Sequence, residues 1–186
     1  ITENAIGPKA NEGWRTGVVM VDINNDGLLD IYVSRSGLPS DKNLLANLLY
    51  INNGDLTFTE QGAEYGIKIK KNTTQSAFFD YDNDGDLDVI ISHVDKQATT
   101  ALLRNDGGNS NHWLGLTLKG NKGPASAVAA KVIATSGNKR QVFVNQWATS
   151  YLCNNDPRIH IGLGDAGIID TLEIFWTGGK KEIYKN

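Results

Sequence analysis

One cysteine, one methionine and four prolines are all that 186 residues hold of those types, and aromatic residues make up only 8%. A single thiol, Cys153, excludes a disulfide within the chain and leaves the redox compartment open. No apolar run approaches the roughly 18 residues that a membrane-spanning helix needs. Lys and Arg never run to three in a row, so the basic footprint of a nucleic-acid-binding domain is missing. We therefore expect neither a membrane span nor a nucleic-acid partner. Net charge is only −3, and hydrophobic and charged contents of 40% and 21% are those of a folded chain.

What is abundant is aspartate, and only in two places. Asp22, Asp26, Asp30, Asp80, Asp82, Asp84, Asp86 and Asp88 account for eight of the 21 acids; without them 13 acids face 18 bases. The acidity is local, and it repeats. GVVMVDINNDGLLDIYVS (17–34) and SAFFDYDNDGDLDVIISH (76–93) each set a nine-residue polar turn between two short apolar runs, with Asp22 and Asp80 58 residues apart. Such a period marks an array of supersecondary units. The flanks are rich in Val, Ile, Phe and Tyr and too short for helices, so they read as strands. ITENAIG at the start matches FTEQGAEYGI (58–67), the stretch before the second unit. We accordingly expect Ile1 in the closing strand of an earlier repeat, and the chain to be a piece of something larger.

Asp22, Asn24, Asp26 and Asp30 occupy positions 1, 3, 5 and 9 of the first turn, and Asp80, Asp82, Asp84 and Asp88 those of the second. Gly27 and Gly85 stand at position 6, where a positive φ turns the chain back. Alternate oxygens of a tightly wound loop converge, and position 7 (Leu28, Asp86) can add its backbone carbonyl. This donor set suits a hard cation with six or seven oxygen ligands, Ca²⁺ rather than Zn²⁺. Without a cation, carboxylates about 4 Å apart repel by up to ~4 kcal/mol at an effective dielectric near 20. The expectation is two Ca²⁺ sites. An EF-hand would need Glu at position 12 and flanking helices; here position 12 holds Val33 and Ile91. Plain Asp/Asn/Gly hairpin turns are the other reading, yet such turns rarely place acids at every odd position, twice.

These loops resemble FG-GAP/VCBS repeats, whose DxDxDGxxD calcium loops lie between blade strands, as in integrin α-subunit propellers. WRTGVVMVDINNDGLLDIYVS…NLLYINNGDLTFTEQGAEYGI resembles one whole unit, and TTQSAFFDYDNDGDLDVIISH…TALLRNDGG a second without its last strand. The remainder, with SYLCNNDPRIHIGLGD as its specific part, is similar to the ASPIC/UnbV domain, although Ala129 stands where that domain usually has Gly and Cys153 near a usual small polar residue. The resemblance implies an all-β fold: two β-propeller-type blades, a partial propeller, followed by a small β-sandwich-like domain. The division is residues 1–13 as the tail of a preceding repeat, 14–67 and 68–108 as the two repeats, and 109–186 as the terminal domain. Two blades leave strand edges open, so other repeats of a parent chain, or other subunits, are the expected partners, with carbohydrate a further candidate.

Within the terminal part, RQVFVNQ, RIHIGLG and TLEIFWT read as strands between the turn clusters SGNK, CNNDP and TGGK, and ASAVAAKV (125–132) as a strand too. LPSDKNLLANLL holds one helical turn starting near Asp41. GLGDAG (162–167) matches a dinucleotide fingerprint only superficially, because a strand and not a helix follows it. His93, His112 and His160 form no catalytic grammar with Cys153 or any Ser. Asn72 opens an NTT acceptor for glycosylation. Trp14, Trp113, Trp147 and Trp176 read as packing residues before they read as a sugar platform. The function expected is a non-catalytic, calcium-stabilised, extracellular or cell-surface adhesion or assembly module. A filament or surface-layer subunit, and an accessory part of a polysaccharide-acting enzyme, are the alternatives.

Overall fold

The computed structural model describes residues 5–7, 12–38, 40–95, 99–107, 110–120 and 125–186. They form an all-β chain in which β1 (Trp14–Val21), β2 (Asp30–Ser36), β3 (Leu48–Asn52) and β4 (Phe58–Glu60) pair antiparallel in chain order. A second sheet, β5 (Thr73–Phe79), β6 (Asp88–His93) and β7 (Ala101–Leu103), repeats the first three strands without a fourth. The two sheets share register in detail. Val21 pairs with Asp30 as Phe79 pairs with Asp88, so each polar turn closes its hairpin at its own ninth residue. Even the register shift recurs, between Arg15 and Gly17 in one sheet and Thr73 and Gln75 in the other.

Alternation along these strands builds the core. Val19, Val21, Tyr32, Leu49 and Ile51 on one face of the first sheet meet Phe78, Val89 and Ile91 of the second. Tyr32 sets its ring edge-to-face on Phe78 with centroids 5.2 Å apart. Each such fully buried side chain stabilises by about 1.5–3 kcal/mol. The opposite face of the first sheet gathers Val33, Leu48 and Tyr50 beside Ile6, Ile31 and Phe58.

The terminal module contains β8 (His112–Leu116), β9 (Lys131–Ser136), β10 (Lys139–Val144), β11 (Ala148–Ser150), β12 (Cys153–Asn154), β13 (Ile159–Gly164), β14 (Thr171–Phe175) and β15 (Lys181–Lys185). A four-stranded sheet, β10-β9-β14-β15, faces the pair β13-β8 across a core of Val132, Ala134, Ile161, Leu163 and Ile174. The hairpin β11-β12 reaches out to the second sheet, where the Cys153 thiol donates to the Ser76 carbonyl and the Phe78 N–H donates to Asn155 Oδ1. The result is two blade-like sheets and a β-sandwich; among the described residues no sheet closes into a barrel.

Three details differ from the sequence reading, and the first is that Trp14, read as a packing residue, is 73% exposed. ASAVAAKV is not one strand: residues 125–130 are turns and the strand starts at Lys131. Ala127 and Ala129 carry φ of 49° and 67°, and the buried Asn145 amide ties this bend by donating to the carbonyls of Ser126 and Ala127. Asn72 is buried, with its amide donating to Asp95 and accepting from Ser36, so its nitrogen is already engaged. The helical turn is present as a 3-10 helix over Lys42–Leu45, capped by the Asp41 carboxylate. Ile1, expected in a closing strand, lies outside the described residues.

Candidate metal centres

Each polar turn is wound by the same backbone choices. Position 4 is left-handed in both loops, Asn25 at φ 58° and Asn83 at φ 60°, and so is position 6, Gly27 at 85° and Gly85 at 97°. Asn tolerates that region better than other side chains. The carboxylate at position 9 braces the hairpin. Asp30 accepts the N–H of Ile23 at 3.1 Å and of Asn52 at 2.8 Å, and Asp88 accepts those of Tyr81 at 3.0 Å and Asn105 at 2.8 Å. One side chain thereby ties the loop's second residue to the end of the third strand.

The expected ligands are brought together unequally. In the second loop Asp80, Asp82 and Asp88 place carboxylate oxygens within 4.8 Å of one another. The Asp80 side chain is buried, and its Oδ1 has no hydrogen-bond partner. A buried, unpartnered carboxylate oxygen beside two more carboxylates is the surrounding a hard cation satisfies. Asp84 stands apart from that trio; its Oδ1 accepts the Asp86 N–H at 3.1 Å. Asp86 is fully buried.

The first loop is wound on itself instead. Asp22 accepts from the N–H groups of Asp26 and Gly27, at 3.1 and 2.9 Å. Asp26 accepts from the Leu28 N–H at 2.8 Å and the Asn24 amide at 3.0 Å. Asp22, Asn24, Asp26, Leu28 and Asp30 share one turn, but their acids do not form such a cluster among the described residues.

Burial pushes the Asp22 carboxyl up to about 7, against the lowering pull of the Gly27 N–H. The same cause raises Asp30 to about 6, and raises Asp88. Desolvation disfavours the charged form; a bound cation would restore it. Position 12, where an EF-hand has its Glu, is core: Val33 and Ile91 are buried.

Sequence reasoning missed the groups that press on these loops from the terminal module. Arg158, immediately before β13, donates to Asn83 Oδ1 at 2.9 Å and to the Asp80 carbonyl at 2.6 Å, held by a two-point contact with Asp156. His160 meets Asn25 Oδ1 through Nε2. Because the Asn25 amide nitrogen donates to the Gly85 carbonyl, its oxygen faces the ring and Nε2 carries the proton. Burial lowers the His160 pKa to about 4, which keeps it neutral.

Trp113 stacks on His160, with planes 12° apart, and lies so close over Gly85 that a methyl group there would overlap the indole. A methyl on Gly162 would overlap Asp22 in the same way. Gly162 and Gly164, part of the dinucleotide-like match, serve close approach to the first loop: the Gly164 N–H donates to the Asn25 carbonyl at 2.8 Å.

Two family models match parts of this chain. A family model described as FG-GAP-like repeat matches residues 38–91, which include the second loop, and one described as ASPIC and UnbV matches residues 120–186. The chain thus matches an FG-GAP-like repeat followed by an ASPIC/UnbV domain. It is homologous to cartilage acidic protein 1: mouse and human proteins of that name are each 27% identical over 165 residues, 88% of this chain. The protein of that name from Xenopus tropicalis is 31% identical over 108 residues, 58% of this chain. This chain spans a quarter of the length of the mouse and human relatives.

Proposed function

We propose that the chain is a calcium-binding, non-catalytic module for extracellular adhesion or assembly, with Asp22, Asn24, Asp26, Leu28 and Asp30 serving one ion and Asp80, Asp82, Asp84, Asp86 and Asp88 the other. The observation that carries this reading is the meeting of the Asp80, Asp82 and Asp88 carboxylates, one of which, Asp80, also has a buried oxygen without a hydrogen-bond partner. Extracellular calcium, near millimolar, fills even sites of about 10⁻⁴ to 10⁻³ M, which cytosolic calcium does not. The relatives' name, cartilage acidic protein, supports the same setting. We keep the division at residues 13, 67 and 108 as part of this proposal.

Partners follow from the repeat register. Met20 is the counterpart of Phe78, and Ile90 and Leu102 those of Tyr32 and Leu49. Phe78, Tyr32 and Leu49 are buried where the two sheets meet, whereas Met20, Ile90 and Leu102 are exposed. This favours another repeat stacked on the outer face of the second sheet, where Ile90 and Leu102 lie, from a longer chain or from a neighbouring subunit.

Calorimetric titration with calcium tests the site. The expected result is two binding events, the tighter at the second loop, because its ligand side chains at positions 1, 3, 5 and 9 are all acidic while Asn24 is an amide. Equal affinities, or a tighter first loop, would contradict the assignment.

A further inference from the structure

Strand β13 has two faces with different employers. Ile159, Ile161 and Leu163 point into the core of the terminal module. The alternate residues Arg158, His160, Gly162 and Gly164 all meet the metal loops: Arg158 at Asn83 and the Asp80 carbonyl, His160 at Asn25, Gly162 against Asp22 and Asn25, and Gly164 at the Asn25 carbonyl. Trp113, paired with Gly162 on the neighbouring strand β8, covers Gly85. Lys139 Nζ and the Asn111 amide donate to the carbonyls of Asp26 and Asn24. Apart from Gly162 against the Asp22 side chain, these contacts reach the loops at positions 4 and 6 and at main-chain carbonyls, and none of them is made by a carboxylate of the module.

We propose that this face of β13 is a docking strip that recognises the metal-ordered shape of both loops, so that cation binding and seating of the terminal module are one linked equilibrium. The inference rests on the reading that the loops hold a divalent cation. Its physical basis is that the groups the strip touches are placed by how each loop is wound. Asn25 and Asn83 project toward β13 because they sit at left-handed φ, and Gly85 lies flat under Trp113 for the same reason. With the ion absent, repulsion among Asp80, Asp82 and Asp88 spreads the second loop. That moves Asn83 and the Asp80 carbonyl away from the guanidinium that spans them. The Asn25 amide, bonded to the Gly85 carbonyl, carries the change to the first loop. Linkage is reciprocal: whatever unseats the strip must weaken the ion by the same factor that ion removal weakens the seat.

The test uses the whole chain with calcium alone as the probe. Gly162→Val fills the space against Asp22 and so disturbs the first loop directly; the linkage is read at the second loop, none of whose ligands it touches, where calcium binding is expected to weaken about tenfold by calorimetry, within the usual range for coupled sites. Asn83→Gly keeps the left-handed backbone and removes only the contact to Arg158, so it stays informative if Gly162→Val does not fold; a several-fold loss of affinity is expected. The second readout is amide exchange at Gly164, whose hydrogen bond crosses to Asn25. Chelator should speed its exchange in the wild type by about the same factor. If both variants that fold bind calcium like the wild type, and Gly164 exchanges equally with and without calcium, the linkage is refuted while the calcium sites stand. If the wild type binds no calcium, the site reading itself falls and the linkage with it.

Discussion

Replacing Asp80 by Asn should invert its effect on stability when calcium is exchanged for chelator. The substitution keeps shape and removes one charge from the Asp80, Asp82 and Asp88 trio, whose oxygens lie within 4.8 Å. Two unit charges at that distance repel by about 3.5 kcal/mol at an effective dielectric near 20. Asp82 is exposed, which screens its share, and the Arg158 guanidinium beside the Asp80 carbonyl offsets part of the rest. In chelator the variant should therefore be more stable than the wild type, by about 1–2 kcal/mol.

In calcium the order reverses. An ion present at a hundred times its dissociation constant stabilises the folded wild type by about 2.7 kcal/mol. For a chain of this size that corresponds to a rise in Tm of about 5–10 °C. Asp80→Asn, with a neutral amide in place of a carboxylate ligand, should gain little of it. Scanning calorimetry of both proteins in both buffers reads the crossing directly. An equal loss of Tm in calcium and in chelator would mean that Asp80 is a structural hydrogen-bonding group, and the argument for a cation at this loop would fail.

The first loop carries a pH signature of its own. Asp22 and Asp30, raised by burial to about 7 and about 6, bind more protons folded than unfolded between pH 4 and 7. In chelator their contribution to stability should accordingly fall as pH rises through that window, and saturating calcium should flatten the fall. Urea melts at pH 5 and 7.5 check this; in chelator, stability that rises with pH would contradict it unless the Asp22→Asn variant rose more steeply. Ala129, at φ 67°, sits in a region that disfavours a Cβ. Ala129→Gly should stabilise the chain by about 1 kcal/mol in urea unfolding, equally with and without calcium.

The blades were legible because their information is local. A nine-residue turn with acids at alternate positions and Gly at position 6, flanked by β-branched runs, specifies hairpin, register and a crowd of oxygens without help from elsewhere. The inequality of the loops was half legible: Asn24 in place of an acid shows in the letters, but the turning of Asp22 and Asp26 onto their own loop's N–H groups does not. ASAVAAKV misled because Ala has no positional signature for positive φ; what bends residues 125–130 is Asn145, 15 residues downstream of the last of them. The strip on β13 was hidden for a related reason. RIHIGLG reads as a strand with one apolar face, and nothing in the alternation says what the other face meets.

Position 6 shows how one residue can satisfy two demands of which only the first is local. A turn of this kind requires a residue at φ near 90°, and glycine meets that at Gly27 and Gly85 at little steric cost. The same absence of Cβ is what lets Trp113 lie flat on Gly85 and the Gly162 carbonyl come close to Gly27. An Asn at position 6 would ease the backbone strain yet still project into the terminal module. The asymmetry separates the two roles: a substitution that only strained the turn would cost alike in both loops. At Gly85 the neighbour is a rigid indole, and at Gly27 a backbone carbonyl 3.2 Å from where a Cβ would sit. The larger displacement of the terminal module is therefore expected from Gly85, on the loop whose carboxylates already converge.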